Sequence, residues 1–494
     1  MVDQGRFLYT AQQVKAGERK LSAELGIDMF ELMERAGTAV FEHIQRCFPD
    51  SHSMHVYCGS GNNGGDGYVI ARLAKASGYS VTLIHVGELS KVKGDAKIAQ
   101  EKWARVGGKI DSFSDITSKK CDLIVDALLG TGFEGNLREE QAQVITHINR
   151  SEAETISVDI PSGLCPDSGS VSGACVAARY TVSFIGLKRG LYTGQAANYT
   201  GDIIFAGLGL SDVFTKSVLS NIKLISKSDV NDHLAKRARA SHKGDFGRVL
   251  CLGGDRGLFG AIRLTSEACA RVGAGLTRVV TQPENVPALV SARPELMVFD
   301  WRGNSNEIND HLWWTDVIAL GPGLGSSSWG RSLVGYSRTV EKPMVVDADG
   351  LNVLAKTPDF NRRRVITPHP GEASRLLNMS VPEVELNRFS SARTLQLKYG
   401  GVVVLKGAGT IIYDGESYWV CQSGNPGMAT GGMGDVLTGV IAGLIAQGLS
   451  LSVAARVGVW IHSSAADICV EKEGERGLLA SDLFPIIRRL ANGI

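Results

Sequence analysis

Short apolar runs suited to buried strands alternate with helical segments along this chain, twice over, and that rhythm leaves few folds open. In the first half, residues 55–58, 81–86, 123–126 and 156–160 read as strands, and residues 180–185 and 203–206 can add two more. Helices are expected over residues 68–76 and 96–106, and two more between Ala11 and Phe48, where Asp28 can cap the second and Glu31 can complete a capping box. In the second half, residues 248–252, 316–320, 343–346, 365–366 and 402–405 read as buried strands. Residues 407–413 and 417–421 read as a hairpin, and residues 260–272 and 388–398 as helices. Such alternation predicts α/β domains with parallel sheets covered on both faces. The 494 residues exceed one compact domain, and polarity rises between Leu210 and Lys243. Domains at residues 1–212 and 241–494 are expected, joined by a linker at residues 213–240.

The charge balance excludes some partners. With 52 basic against 51 acidic residues and no basic stripe, nucleic acid is not expected. Nine dispersed cysteines without a C-x-x-C pair fit buried thiols in a reducing compartment, so a cytoplasmic protein is expected. The N-terminus lacks the apolar stretch of a secretory signal. Residues 436–455 are uncharged and long enough to span a bilayer. Thr438, Gln447, Ser450 and Ser452, with Gly448 between them, favour two buried helices instead, and no membrane partner is expected.

Chemistry concentrates in glycine-rich loops. SGNPGMATGGMGDVLTG (residues 423–439) lies between a strand-like run and an apolar helix. Gly431, Gly432 and Gly434 let the backbone approach a ligand, and the following helix offers unpaired N–H groups to an anion. Asp435 can serve as the helix N-cap or as a base for a hydroxyl during phosphoryl transfer. GPGLG (321–325), DADGLN (347–352), TPHPGE (367–372) and KGAGT (406–410) each follow a predicted strand, where open α/β sheets bind ligands. Lys406 supplies a compact positive charge; His369, between two prolines, suits a site or a scaffold equally.

These motifs, with GDFGRVLCLGG (244–254) and in this order, resemble the ADP/ATP-dependent NAD(P)H-hydrate dehydratases of the ribokinase-like superfamily, from about Lys243 onward. In the first half GSGNNGGDG (59–67), DALLGTGFEGN (126–136) and VDIPSGL (158–164) resemble NAD(P)H-hydrate epimerase domains, of Rossmann-like three-layer build; the first loop lacks the Rossmann fingerprint spacing. The resemblance implies that Asn62, Asn63, Gly64, Gly65 and Asp66, with Gly130, Thr131, Gly132, Phe133, Glu134, Gly135 and Asn136, hold the hydrated dinucleotide. It implies Asp159 as acid/base, and Asn63, Asp126 and Ser162 as potassium ligands; the role of Lys188 stays open. In the second half it implies Ala261, Gly323, His369 and Asp435 as substrate contacts. Lys406, Gly407, Ala408, Gly409, Thr410 and Gly434 would hold the nucleotide, with Asp435 as base.

The implied chemistry is metabolite repair. The first domain would interconvert the R and S epimers of hydrated NADH or NADPH. The second would phosphorylate the C6 hydroxyl of the S epimer from ADP, with magnesium on its phosphates, and release phosphate and AMP. A homo-oligomer acting on small molecules is expected. Two other readings are a ribokinase-like vitamin or sugar kinase that retains its phosphate, fused to a dinucleotide-binding module, and a first half that only docks partners.

Overall fold

The computed structural model describes residues 6–115, 120–133 and 135–494; Glu134, expected in the first ligand loop, lies outside them. The chain divides into two compact units, Met1–Ile222 and Lys223–Ile494.

In the first unit a six-stranded sheet runs Ser80–His85, Ser53–Cys58, Leu123–Ala127, Glu154–Val158, Tyr180–Phe184, Asp202–Ala206. Each neighbouring pair is parallel. Successive residues bury opposite faces: Val56 and Val125 join a core with Leu32, Val40 and Ile44, while Tyr57 and Ile124 join another with Val144 and Ile148. Burial on both faces explains the continuous apolar runs. Helix Met29–Cys47 starts at the expected cap, Asp28 accepting from Phe30 N (3.2 Å), but Glu31 forms no capping box and pairs with Arg35 (2.5 Å) instead.

A larger correction concerns GSGNNGGDG. The helix expected from Tyr68 begins at Asn62, so most of the supposed loop is the first turns of helix Asn62–Ala76. Its glycines permit close packing: a Cβ at Gly64 would lie 1.9 Å from the Gly59 carbonyl oxygen, and one at Gly67 2.6 Å from Cys58 Sγ. The short parallel pair Phe7–Tyr9 and Leu187–Lys188 was too brief to register in the sequence pattern. The stretch 213–240 is no bare linker either, since it holds most of helix Ser211–Ser217, strand Ile222–Leu224 and helix Lys227–Asn231.

In the second unit the strands run Met297–Asp300, Leu276–Thr281, Arg248–Leu252, Val317–Leu320, Met344–Val346, Arg364–Ile366, Val402–Leu405 in parallel, followed by the antiparallel hairpin Thr410–Tyr413 and Tyr418–Cys421. The first two of these are absent from the sequence expectation. Arg278 interrupts one, and the other is a partly exposed edge strand without a full apolar run. Helix Met433–Ala446 packs closely on helix Phe259–Val272; a Cβ at Gly439 would stand 2.0 Å from the Thr265 carbonyl oxygen. The expected second helix is Leu451–Glu473, and among the described residues no helix is long and apolar enough to cross a membrane.

Candidate active sites

The first unit encloses a cavity of about 810 Å³ beyond the carboxyl ends of its strands. Asp159 follows strand Glu154–Val158 and holds φ 66°, a left-handed conformation rarely adopted outside glycine. Its carboxylate accepts from Lys188 Nζ, Phe184 N (3.1 Å) and Ser183 Oγ (3.3 Å). Lys188 is 1% exposed and also donates to the Phe184 carbonyl (3.1 Å), so a buried ammonium is held against one oxygen of Asp159. The carboxyls of Asp66 and Glu18 are among the others that line the cavity. Burial, reinforced by Asp159 and Glu18, holds the Asp66 carboxyl well above its usual range. Burial also raises Glu18, opposed by Lys188 and reinforced by Asp159. Carboxyls pushed toward the neutral form thus share a cavity with one locked to a cation, a division suited to acid and base roles.

Of the residues assigned to the dinucleotide, Asn62, Asn63, Asp66, Gly130, Thr131, Gly132, Phe133 and Asn136 line this cavity. Gly64, Gly65 and Gly135 do not; Gly65 packs on Met33, where a Cβ would meet Cε at 2.5 Å. Behind the wall, Asp126 is fully buried and accepts from Ser162 N (2.9 Å), Ser162 Oγ (2.5 Å) and Ser157 Oγ (2.8 Å). Burial raises its carboxyl despite these donors. The Leu129 carbonyl accepts from Asn63 Nδ2 (3.0 Å) and Ser162 Oγ (3.3 Å), so Asn63, Asp126 and Ser162 do come together. This is a set of hard oxygens around a carboxylate that has no cationic side-chain partner among the described residues. Glu18 was invisible in the sequence, where it looks like an ordinary charge on an amphipathic helix. Lys188, one of two adjacent cations in the otherwise uncharged FIGLKRGLY, carried the only usable signal.

In the second unit the loops after the parallel strands converge on the start of helix Met433–Ala446. The N-cap is Gly432, at φ 92°, and no side chain caps the helix. Asp435 is therefore not the N-cap that its sequence position allows; it sits in the first turn, with its carboxyl released from that duty. Burial and then the charge of Asp347 push it up to about 7, against the pull of Lys406. The N–H groups of Met433, Gly434 and Asp435 precede the first intrahelical bond, Val436 N to the Gly432 carbonyl (3.0 Å).

Lys406 donates to Asp347 Oδ1 (2.8 Å) and lies 3.7 Å from Glu372. Burial works against its charge, yet Asp347 and Glu372 raise it further above the usual lysine range. Burial likewise opposes the charge on Asp347, but Lys406 and the Thr438 hydroxyl (2.8 Å) hold its carboxyl below the usual range. Gly434 stands beside the ammonium, since a Cβ there would be 3.1 Å from Lys406 Nζ. Gly407 and Ala408 are exposed, with Gly409 and Thr410 half-buried behind them. Buried Arg388 donates to the Leu405 and Lys406 carbonyls (3.1 and 3.0 Å) and leaves no room for a side chain at Gly407. His369 has a scaffold role: its Nδ1 accepts from Gly371 N (3.0 Å) and its own N–H donates to Glu372 (2.8 Å). Its ring remains half exposed beside the site. Gly323, at φ 60°, adjoins Ala261, so these two form one wall. Asp347, Glu372 and Arg388 were not singled out in the sequence, although the first two lie within its motifs.

The two folds define a pair of α/β units, the second of ribokinase-like build. The NAD(P)H-hydrate dehydratase family model matches residues 249–489, and the YjeF-related protein N-terminus model matches residues 29–190. A bifunctional NAD(P)H-hydrate repair enzyme of Vibrio cholerae is 46% identical over 484 residues, covering 98% of each chain. Its counterpart in Escherichia coli is 46% identical over 486 residues, covering 98% of this chain and 94% of that one. A crystal structure of the ADP/ATP-dependent NAD(P)H-hydrate dehydratase from Bacillus subtilis, co-crystallised with ATP and magnesium, shares 28% identity at a TM-score of 0.50, covering 56% of this chain and 99% of that one. The chain belongs to the bifunctional NAD(P)H-hydrate repair enzymes.

Proposed function

We propose that the second unit dehydrates the S epimer of hydrated NADH or NADPH at the expense of ADP, and that the first unit interconverts the R and S epimers. The observation that carries the reading is the Asp435 carboxyl, not engaged as a cap, pushed up to about 7, and next to the helix's first-turn N–H groups and the Lys406–Asp347 pair. A base with this pKa can take the C6 hydroxyl proton near neutral pH. The hydroxyl oxygen attacks the terminal phosphorus of ADP, AMP leaves, and the N–H groups of Met433 to Asp435 stabilise charge on the transferred group. Phosphate then leaves with the C6–O bonding pair, driven by the ring nitrogen, and loss of a proton from C5 of the resulting iminium restores the double bond. Phosphate leaves where hydroxide would not, which is why a nucleotide is consumed.

Lys406 and the loop 407–410 are assigned to the nucleotide. The carboxylates of Asp347 and Glu372 beside Lys406 are the donors that would hold magnesium on its phosphates, where the ion neutralises charge. In the first unit, Asp159, ion-paired with Lys188, serves as base, and Asp66 or Glu18, both pushed toward the protonated form by burial, serves as acid. Asn63, Asp126 and Ser162 would hold potassium, which would neutralise the buried Asp126 and fix the loop 130–133.

The test mixes R and S hydrates with the protein, with and without ADP, and follows reduced-nicotinamide absorbance, both epimers and inorganic phosphate. Dehydration with release of phosphate supports the reading. A stable phosphorylated product would show a kinase instead, and a mixture of epimers that relaxes no faster than in buffer would remove the first unit's assignment.

A further inference from the structure

A second cavity, of about 720 Å³, opens in the second unit among Arg256, Gln282, Trp301, Arg302, Ser328 and Trp329. No motif singled out above reaches it. We infer that it holds the diphosphate and adenosine half of the hydrated dinucleotide during dehydration, a proposal that rests on the dehydratase reading.

The first argument is one of missing charge. The groups whose charge acts on Asp435 are Asp347, Asp349, Glu372 and, as a cation, Lys406, which is already bound to Asp347 and assigned to the nucleotide. That acidic neighbourhood suits a proton acceptor and repels a second diphosphate, so the substrate's own diphosphate needs cations elsewhere. Arg256 and Arg302 supply them at the cavity. Their present partners, Glu284 (3.2 Å) and Asp300 (2.8 Å), form exposed pairs of a kind worth little, so the guanidinium groups can turn to a phosphate at small cost. Helix Ser328–Ser337, capped by Ser327, begins at the same wall, where Ser328, Trp329 and Ser332 line the cavity.

The second argument is position. The cavity adjoins the wall assigned to the substrate: Asp255 N donates to the Gly323 carbonyl (2.6 Å), and Gln282 Nε2 donates to Asp255 Oδ1 (2.9 Å). Asp347, at the reacting end, follows strand Met344–Val346, whereas Gln282 follows strand Leu276–Thr281, three strands along the sheet. At roughly 4.8 Å per strand the two ends lie about 14 Å apart along the sheet, a span that an extended dinucleotide can cover. The third argument is the aromatic wall. Trp329 is half-buried, its indole N–H fixed on the Trp301 carbonyl (3.0 Å), and its ring lies 6.3 Å from that of buried Trp301. A ring held this firmly can receive a base with little loss of freedom.

The test uses the full chain with saturating ADP and magnesium and two substrates: hydrated S-NADPH, and the hydrate of reduced nicotinamide mononucleotide, which lacks the adenosine half. The double variant Arg256→Gln/Arg302→Gln should raise KM for the dinucleotide by roughly ten- to a hundredfold, with kcat within about twofold. KM for the mononucleotide and for ADP should stay unchanged. In the wild type, independently of any variant, the mononucleotide should show a KM at least about tenfold above that of the dinucleotide. Equal KM values for the two substrates in an active wild type, or a folded double variant that affects both alike or neither, would overturn this inference alone. A wild type without ADP-dependent dehydration would overturn the dehydratase reading and this inference with it.

Discussion

A helix that begins on glycine frees a carboxyl for chemistry, and Asp435 shows what that does at the scale of one residue. Because no capping bond is at stake, Asp435→Asn should leave the helix start intact. It removes the base, so ADP-dependent dehydration should fall by roughly 10²–10⁴-fold, measured as return of absorbance. In the wild type, the rate should fall as the pH drops through about 7, because the working form is the carboxylate. A pH profile flat from 6 to 8 would show that another group takes the proton. On the first unit, Lys188→Met leaves Asp159 with two neutral donors in place of its ammonium. Epimerisation should drop sharply and stability by about 3 kcal/mol, the usual cost of orphaning a buried charge, checked by denaturant unfolding of the unit. The legible residues here were those whose neighbours in sequence are unusual. Asp159 and Asp435 stand in glycine- and proline-marked turns, whereas Glu18 reaches the cavity only because a helix distant in sequence folds over it.

Between elements, glycine proved more often a packing device than a loop device. GNNGGDG reads as a loop because all seven of its residues are poor helix formers. Tertiary contact overrides that preference, since Gly64, Gly65 and Gly67 let the helix lie against Gly59, Met33 and Cys58 where any side chain would collide. Gly439 does the same between the two buried helices of the second unit, and Gly439→Ala should destabilise that unit by about 1–3 kcal/mol, read as a lower melting temperature. Little effect would mean that the helices can shift apart without loss. The strands legible in advance were those buried on both faces, such as Arg248–Leu252 and Val402–Leu405, whose bounds agree with the expectation. The partly exposed Met297–Asp300 lacks that signature, and so did its neighbour with Arg278 in it.

At the scale of the whole molecule, two sets of side chains on two units imply separable activities. Asp159→Asn should let the R epimer persist beyond its spontaneous conversion while the S epimer is consumed normally. Asp435→Asn should show the converse, with both epimers equilibrating and neither consumed. Chromatographic time courses of both epimers, with and without ADP, check the pair; loss of both activities in either variant would mean that the sites are not independent. The raised carboxyl of Asp435 has one further consequence, for the fold. Its pKa in the folded state is above that of an unfolded chain, so the folded form binds the extra proton between roughly pH 4 and 7, and this group's own contribution to stability declines as the pH rises across that window. At this one carboxyl, the form that turns substrate over is therefore not the form that best suits the fold: the ionisation that the reaction needs is what burial beside Asp347 opposes.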